Sequence, residues 1–202
     1  MGQERFLRQG RRPSIALGLA ASIAIPIGMN LAAQARAAEP PPTTPWNFKI
    51  PGQGPVLMDL SSAWVEVSRD KKAGRVKFRP RDGVKADLTL NISWNSVADE
   101  AFNGPSALRD RVEVSARDFL DQAVESRYTI RELGGPEAGG YYWTLRERTP
   151  KNPSTAYVMH GMMGAGTTLL EFTLVTGQSD MPEIRQALKM IASARQADPT
   201  WK

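Results

Sequence analysis

The stretch YYWTLRERTPKNPSTAYVMHGMMGAGTTLLEFTLVT, residues 141–176, decides the fold. Three runs rich in aromatic, β-branched and large apolar residues, 141–148, 156–163 and 167–176, are divided by two short breaks. The first break, 149–154, holds Pro150 and Pro153, and the second is Gly164-Ala165-Gly166. Proline lacks the N–H that a ladder needs and glycine tolerates turn dihedrals, so both breaks read as turns. Parallel neighbours need a crossover of a dozen or more residues, which neither break supplies. The three runs are therefore expected as antiparallel neighbours in one sheet.

The preceding segments extend the same pattern. Val76 and Phe78 fall on one face of a strand over 74–79, and Leu88, Leu90, Ile92 and Trp94 on one face of the next, with Asp82-Gly83 turning between them. Residues 56–59 and 63–67 read as a strand pair around the corner 60–62, where Trp64 plugs the core. Trp46, Phe48 and Ile50 alternate as a short first strand or a docked arm. Residues 96–105 read as a polar loop. Ser106 then caps an expected helix over 106–126, with Leu108, Val112, Ala116, Phe119, Leu120, Ala123 and Val124 on one stripe. A strand over 128–133 precedes the glycine-rich stretch 134–140. A last helix starts near Asp180, with Glu183 closing a capping box and Pro182 in the first turn, and Asp198-Pro199 ends it. This order makes an α+β domain, one antiparallel β-sheet sandwiched by helices, over residues 55–202.

The N-terminus has a different character. Arg5, Arg8, Arg11 and Arg12 precede an uncharged run over 13–35, and Ala33-Gln34-Ala35-Arg36-Ala37 closes it. Basic, apolar and small-residue regions in that order read as a secretory signal peptide over 1–37. Cleavage fits after Ala35 or after Ala37, and the second is preferred. The alternative is a retained anchor, but Gly18, Pro26, Gly28, Asn30 and Gln34 thin the apolar run. Arg11-Arg12 is similar to a twin-arginine export signal, although Pro13 and Ser14 suit that route poorly. Residues 38–54 form a Pro-rich linker and N-terminal arm containing Pro40-Pro41-Pro42.

Charge and cysteine content narrow the function classes. The 202 residues carry 26 basic and 21 acidic side chains, a net of +5. Five of those bases and one acid lie in 1–37, which leaves 21 against 20 and a net of +1. The balance after the leader gives no reason to expect nucleic-acid binding. The chain has no cysteine, so disulfides, thiol catalysis, thiolate metal sites and a lipid-modified cysteine anchor are all excluded. The reading is of a soluble protein, periplasmic or secreted, with no stable membrane anchor after cleavage.

No residue set for catalysis, metal binding or a cofactor stands out. His160 is the one histidine; if the 149–154 turn is symmetrical, it lies opposite Trp143, beside Leu145 and Val158, with Glu171 approaching from the next strand. A general base is one reading of that place, but no Gly-x-Ser-x-Gly elbow accompanies it, and a structural histidine is the simpler one. The Gly-rich stretches 134–140 and 161–166 lack a P-loop ending and a following helix, so both read as turns with positive φ. Asn91-Ile92-Ser93 matches a glycosylation sequon in mid-strand, where the match is accidental. The feature that points to recognition is the aromatic enrichment at Tyr141-Tyr142-Trp143 and Tyr157. If the face carrying Tyr142, Arg146, Arg148 and Tyr157 is partly uncovered, it forms a partner-binding surface.

The corner at 60–64 with Trp64, the helix over 106–126, the Gly135-Pro136 turn before an aromatic strand, the hairpin over 156–176 and the closing helix resemble the PsbP-like superfamily. That group contains the extrinsic photosystem subunit and the exported bacterial DcrB-like proteins. The resemblance spans about 55–196. It implies an α/β/α sandwich and a non-enzymatic role in binding or stabilising other proteins, with no catalytic motif to carry across. The expected protein is an exported accessory or binding protein of the bacterial cell envelope that contacts protein partners. A periplasmic small-molecule or lipid binder with a cavity between helix and sheet is the alternative, and a small hydrolase using His160 a further one.

Intact-mass analysis of the exported protein is expected to find a chain beginning at Ala38, or at Arg36 for the other cut. A chain from the cytosol that retains residues 1–37 would overturn the export reading.

Overall fold

The computed structural model of the protein describes residues 41–134 and 139–200. The leader 1–37, the start of the linker and the Gly135-Pro136 turn lie outside the described residues.

Among the described residues, ten strands form two antiparallel sheets. Strands β1 (Thr43–Phe48), β2 (Val56–Ser61) and β10 (Arg195–Gln196) form a small sheet in the order β1-β2-β10. The large sheet holds β3 (Trp64–Asp70), β4 (Arg75–Pro80), β5 (Ala86–Trp94), β6 (Arg131–Leu133), β7 (Gly140–Arg146), β8 (Tyr157–Ala165) and β9 (Thr168–Thr176). Its order is β3-β4-β5-β9-β8-β7-β6, so the 141–176 segment supplies three consecutive neighbours as its short connections require. Three α-helices lie among the described residues: α1 (Glu100–Asn103), α2 (Pro105–Leu120) and α3 (Pro182–Ala192).

Strand alternation sends side chains to two cores. Phe78, Leu88, Leu90, Leu170, Phe172 and Leu174 leave one face of the large sheet and meet Trp46, Phe48 and Met58 of the small sheet with Ile184, Met190 and Ile191 of α3. Each such side chain contributes roughly 1.5–3 kcal/mol on burial. The opposite face is covered mainly over β7 and β8, where Val112 and Ala116 of α2 pack on Trp143 and Leu145. The layers are thus α2, then the large sheet, then α3 beside the small sheet, an antiparallel α/β/α sandwich.

Several sequence expectations are corrected. The runs at 56–59 and 63–67 do not pair with each other, because the chain changes sheets at the corner: β2 pairs with β1, and β3 with β4. Trp64 does plug the core there, fully buried, and its Nε1–H donates to Gln186 Oε1 at 3.1 Å. The alternating Trp46 and Phe48 lie on a first strand, β1, which begins at Thr43 and buries both side chains; Pro45 is tolerated because β1 is an edge strand. The loop over 96–105 contains α1, capped by Asp99, whose Oδ1 accepts from the Ala101 N–H at 2.9 Å. Ser106 caps nothing, since α2 starts at Pro105.

The same helix ends at Leu120 rather than near 126. Beyond it the chain is drawn to the end of β7, where the Val124 N–H donates to Arg146 C=O at 2.8 Å and the Arg148 N–H to Gln122 C=O at 2.7 Å. Val124 is consequently exposed. The 128–133 strand shrinks to β6. In α3, Met181 occupies the cap position, so Glu183 falls one place short of the position from which it would reach back, and no side chain caps the helix. The chain after α3 forms β10, which the sequence reading left out.

Gly161 and Gly164 lie inside β8, not in a turn; only Gly166 of the 161–166 stretch has positive φ, +58°. A Cβ on Gly161 would stand 2.5 Å from Cζ of Phe172, so its absence is what lets the ring approach the strand this closely. At Gly166 a Cβ would enter the side chain of Gln196, whose Oε1 accepts from the Thr167 N–H at 2.6 Å and whose Nε2 donates to Gln53 Oε1 at 3.0 Å. This tie joins the β8–β9 turn to the segments before β2 and at β10.

A second tie joins the sheets. Glu66 on β3 accepts from Trp46 Nε1 at 2.6 Å and from Arg69 Nε at 2.7 Å, while the Arg69 guanidinium lies 5.0 Å from the Trp46 ring centroid. The Arg69 and Trp46 donors outweigh burial and hold the Glu66 carboxyl below its ordinary 4.5. A lowered carboxyl contributes stability above the unfolded value and loses it as pH falls toward and through the folded value. Urea unfolding of Glu66→Gln is expected to show a loss of about 1–2 kcal/mol at pH 7 and a shallower decline in acid. Equal stability of both proteins at pH 7 and pH 3 would remove this tie from the account.

Candidate functional site

The β7–β8 connection shapes one end of the large sheet. Asn152 Oδ1 accepts from the Ser154 N–H at 2.9 Å, which starts a short 3₁₀ turn over Pro153–Thr155 and returns the chain into β8. The resulting register sets Arg146 directly opposite Tyr157. The Arg146 guanidinium carbon lies 5.7 Å from the Tyr157 ring centroid, a cation–π arrangement. The pair borders an open cleft of about 500 Å³, lined also by Pro150 and Pro153 of the β7–β8 connection and by Gln178 and Asp180 of the β9–α3 loop. The Arg146 guanidinium makes no ion pair among the described residues.

Of the four residues expected on a partner surface, the structure brings Arg146 and Tyr157 together and separates the others. Tyr142 is 9% exposed and belongs to the large core, because the face it shares with Arg146 is covered by α3 and the small sheet for most of its length. Arg148 lies past the end of β7 and donates through Nη2 to Ala123 C=O at 2.7 Å, holding the segment after α2. Gln178 and Asp180 were absent from the sequence reading. Their only signal was a polar run before a helix, and nothing local in it specifies which strand end they meet.

His160 lies where the sequence reading put it, opposite Trp143 and on the same face as Leu145 and Val158. Its Nδ1 is 3.2 Å from Thr173 Oγ1, and its Nε2 is 3.7 Å from Glu171 Oε1. The ring also contacts Trp143, whose Nε1–H donates to Ser115 Oγ of α2 at 2.9 Å. Burial at the rim of α2 pushes the His160 imidazole below 6.5, and the Glu171 carboxylate opposes the shift. A neutral imidazole beside a hydroxyl could accept its proton, but acyl transfer also needs donors for the developing oxyanion. β8 and β9 are each flanked by a strand on both sides, so the backbone N–H groups around His160 are committed to ladders. The row Thr173–His160–Trp143 forms a line of cross-strand contacts on the face that α2 covers.

The interface between α2 and the sheet, one place where the alternative small-molecule reading would put its cavity, is packed by Val112, Ala116, Phe119, Trp143 and Leu145. The Phe119 and Trp143 rings lie 5.0 Å apart there.

No protein-family model matches the sequence, and no curated protein matches it. Among solved structures, the chain is similar to cyanobacterial PsbP (CyanoP) from Synechocystis sp. PCC 6803, with a TM-score of 0.51 and 11% identity over 80% of this chain and 96% of that one. A second structure, from Bacteroides thetaiotaomicron VPI-5482, aligns with a TM-score of 0.38 and 12% identity over 73% of this chain and 47% of that one. The fold is PsbP-like, as the order of elements implied.

NMR titration of the imidazole Cε1–H is expected to place the His160 midpoint below 6.5, and Glu171→Gln to lower it further by removing the one opposing charge. Stability from neutral His160 then falls as pH drops below 6.5, because the unfolded chain takes the proton first. A midpoint above 6.5, or one raised by Glu171→Gln, contradicts this account.

Proposed function

We propose that this chain is an exported, non-enzymatic accessory or binding protein of the bacterial cell envelope, acting through protein–protein contacts at the Arg146–Tyr157 end of the large sheet. The observation that carries the reading is the unpaired Arg146 guanidinium stacked on Tyr157 at an open, proline-walled cleft. Arginine and tyrosine are the side chains enriched where interface energy concentrates. Both are presented on a hydrogen-bonded strand pair, so little conformational entropy is lost when a partner orders them. The proline walls are stiff for the same reason. A leader of secretory form supports an envelope setting for such a surface. The PsbP-like fold fits this role without specifying the partner.

Affinity capture from envelope extract with the leaderless chain is expected to recover a specific partner. The double variant Arg146→Ala/Tyr157→Ala keeps the ladder and should reduce recovery about tenfold or more. Recovery of no specific partner across mild detergents and salts, or equal recovery by both proteins, would defeat the proposal.

A further inference from the structure

The β6 end of the large sheet is incomplete. β6 pairs Arg131, Glu132 and Leu133 with Tyr142, Tyr141 and Gly140, and stops there. Further along β7 the segment after α2 takes over: the Val124 N–H donates to Arg146 C=O at 2.8 Å, and Glu125 Oε2 accepts from the Arg146 N–H at 2.9 Å. Residue 146 thus turns both backbone polar groups away from β8. Alternation along the strand makes Thr144 do the same. Its N–H and C=O point into the gap between the two flanking segments, where no described residue bonds to them. A cleft of about 440 Å³ opens at this gap, lined by Ser126, Arg127, Thr129, Arg131 and Thr144 with Glu125 at its end. Arg127 and Arg131 are exposed and make no ion pair among the described residues. Glu125, the acid of this cleft, is engaged by the Arg146 N–H.

We infer that this gap receives an extended, acidic peptide segment of another protein, one residue of which pairs its C=O and N–H with Thr144 between the two flanking segments. A donor and an acceptor from one residue, set in strand geometry, match the C=O and N–H of one residue of an extended chain. A phosphate or a free carboxylate would take the N–H and leave the C=O unpaired. The two free guanidiniums select carboxylate side chains on the incoming segment. This inference is independent of the Arg146–Tyr157 cleft, since it uses the opposite edge of β7 and different side chains.

Amide NMR of the leaderless chain tests it. The Thr144 N–H should exchange with solvent much faster than those of Trp143 and Leu145, which bond into the β7–β8 ladder. A capped heptapeptide alternating glutamate and valine should slow Thr144 exchange and shift the resonances of 125–131 and 144. The charge-reversed variant Arg127→Glu/Arg131→Glu should bind that peptide about tenfold more weakly, and a lysine–valine peptide should bind no better than that. Protection of Thr144 equal to that of its neighbours in the free protein overturns the inference. So does a glutamate–valine peptide that moves none of these resonances, or equal binding of the two peptides.

Discussion

Strand β9 is paired in register along all nine residues with β5 on one side and with β8 on the other, and this double pairing is the constraint on which the molecule rests. It joins Ala86 to Thr176 and Trp94 to Thr168, across a long separation in sequence. Two full ladders leave β9 a single register, because a slip of one residue would turn Leu170, Phe172 and Leu174 to the wrong face. Once that register holds, every neighbouring strand has its inward and outward positions set as well.

The two faces are then finished differently. One face receives both α3 and the small sheet, which together cover β4, β5, β9 and much of β8 and β7. Such close cover demands local concessions in side-chain volume, of which Gly161 beneath the Phe172 ring is the clearest. The other face is covered mainly where α2 lies on β7 and β8, and β4 presents Arg75, Lys77 and Arg79 to water there while Thr89 and Asn91 of β5 are half-buried. His160 stands at the border of these regimes, which accounts for a histidine that is mostly buried yet reaches a half-exposed carboxylate.

The candidate binding features gather around β7 for a related reason. β7 is the last long strand before the sheet edge, and β6 is too short to cover it. Its two edges are therefore used unequally. On the β8 side the hairpin presents Arg146 and Tyr157 beside the β9–α3 loop. On the outer side a position of the ladder at Thr144 is left open. Sheet edges are ordinarily covered or blunted, so an open position flanked by unpaired arginines is a feature with a consequence for recognition.

What was legible beforehand was whatever period and turn chemistry specify. The alternation in 141–176, the proline and glycine breaks, the Val76–Phe78 and Leu88–Ile92 faces, the Trp64 plug and the facing of His160 with Trp143 all follow from strand geometry and connection length. So does the antiparallel layered class, and the lack of cysteine excludes thiol chemistry outright. Decisions between competing partners were not legible. The end of α2 at Leu120 depends on the pull of Arg146 on Val124, and the assignment of β2 and β3 to separate sheets depends on where α3 and β10 dock. The burial of Tyr142 depends on which layer covers its face, and the cleft beside Tyr157 on a loop from another strand end. In short, local periodicity set the elements and their inward faces. The meeting of segments distant in the chain set element ends, covered faces and clefts, because backbone groups there choose among several partners that only the packed molecule brings within reach.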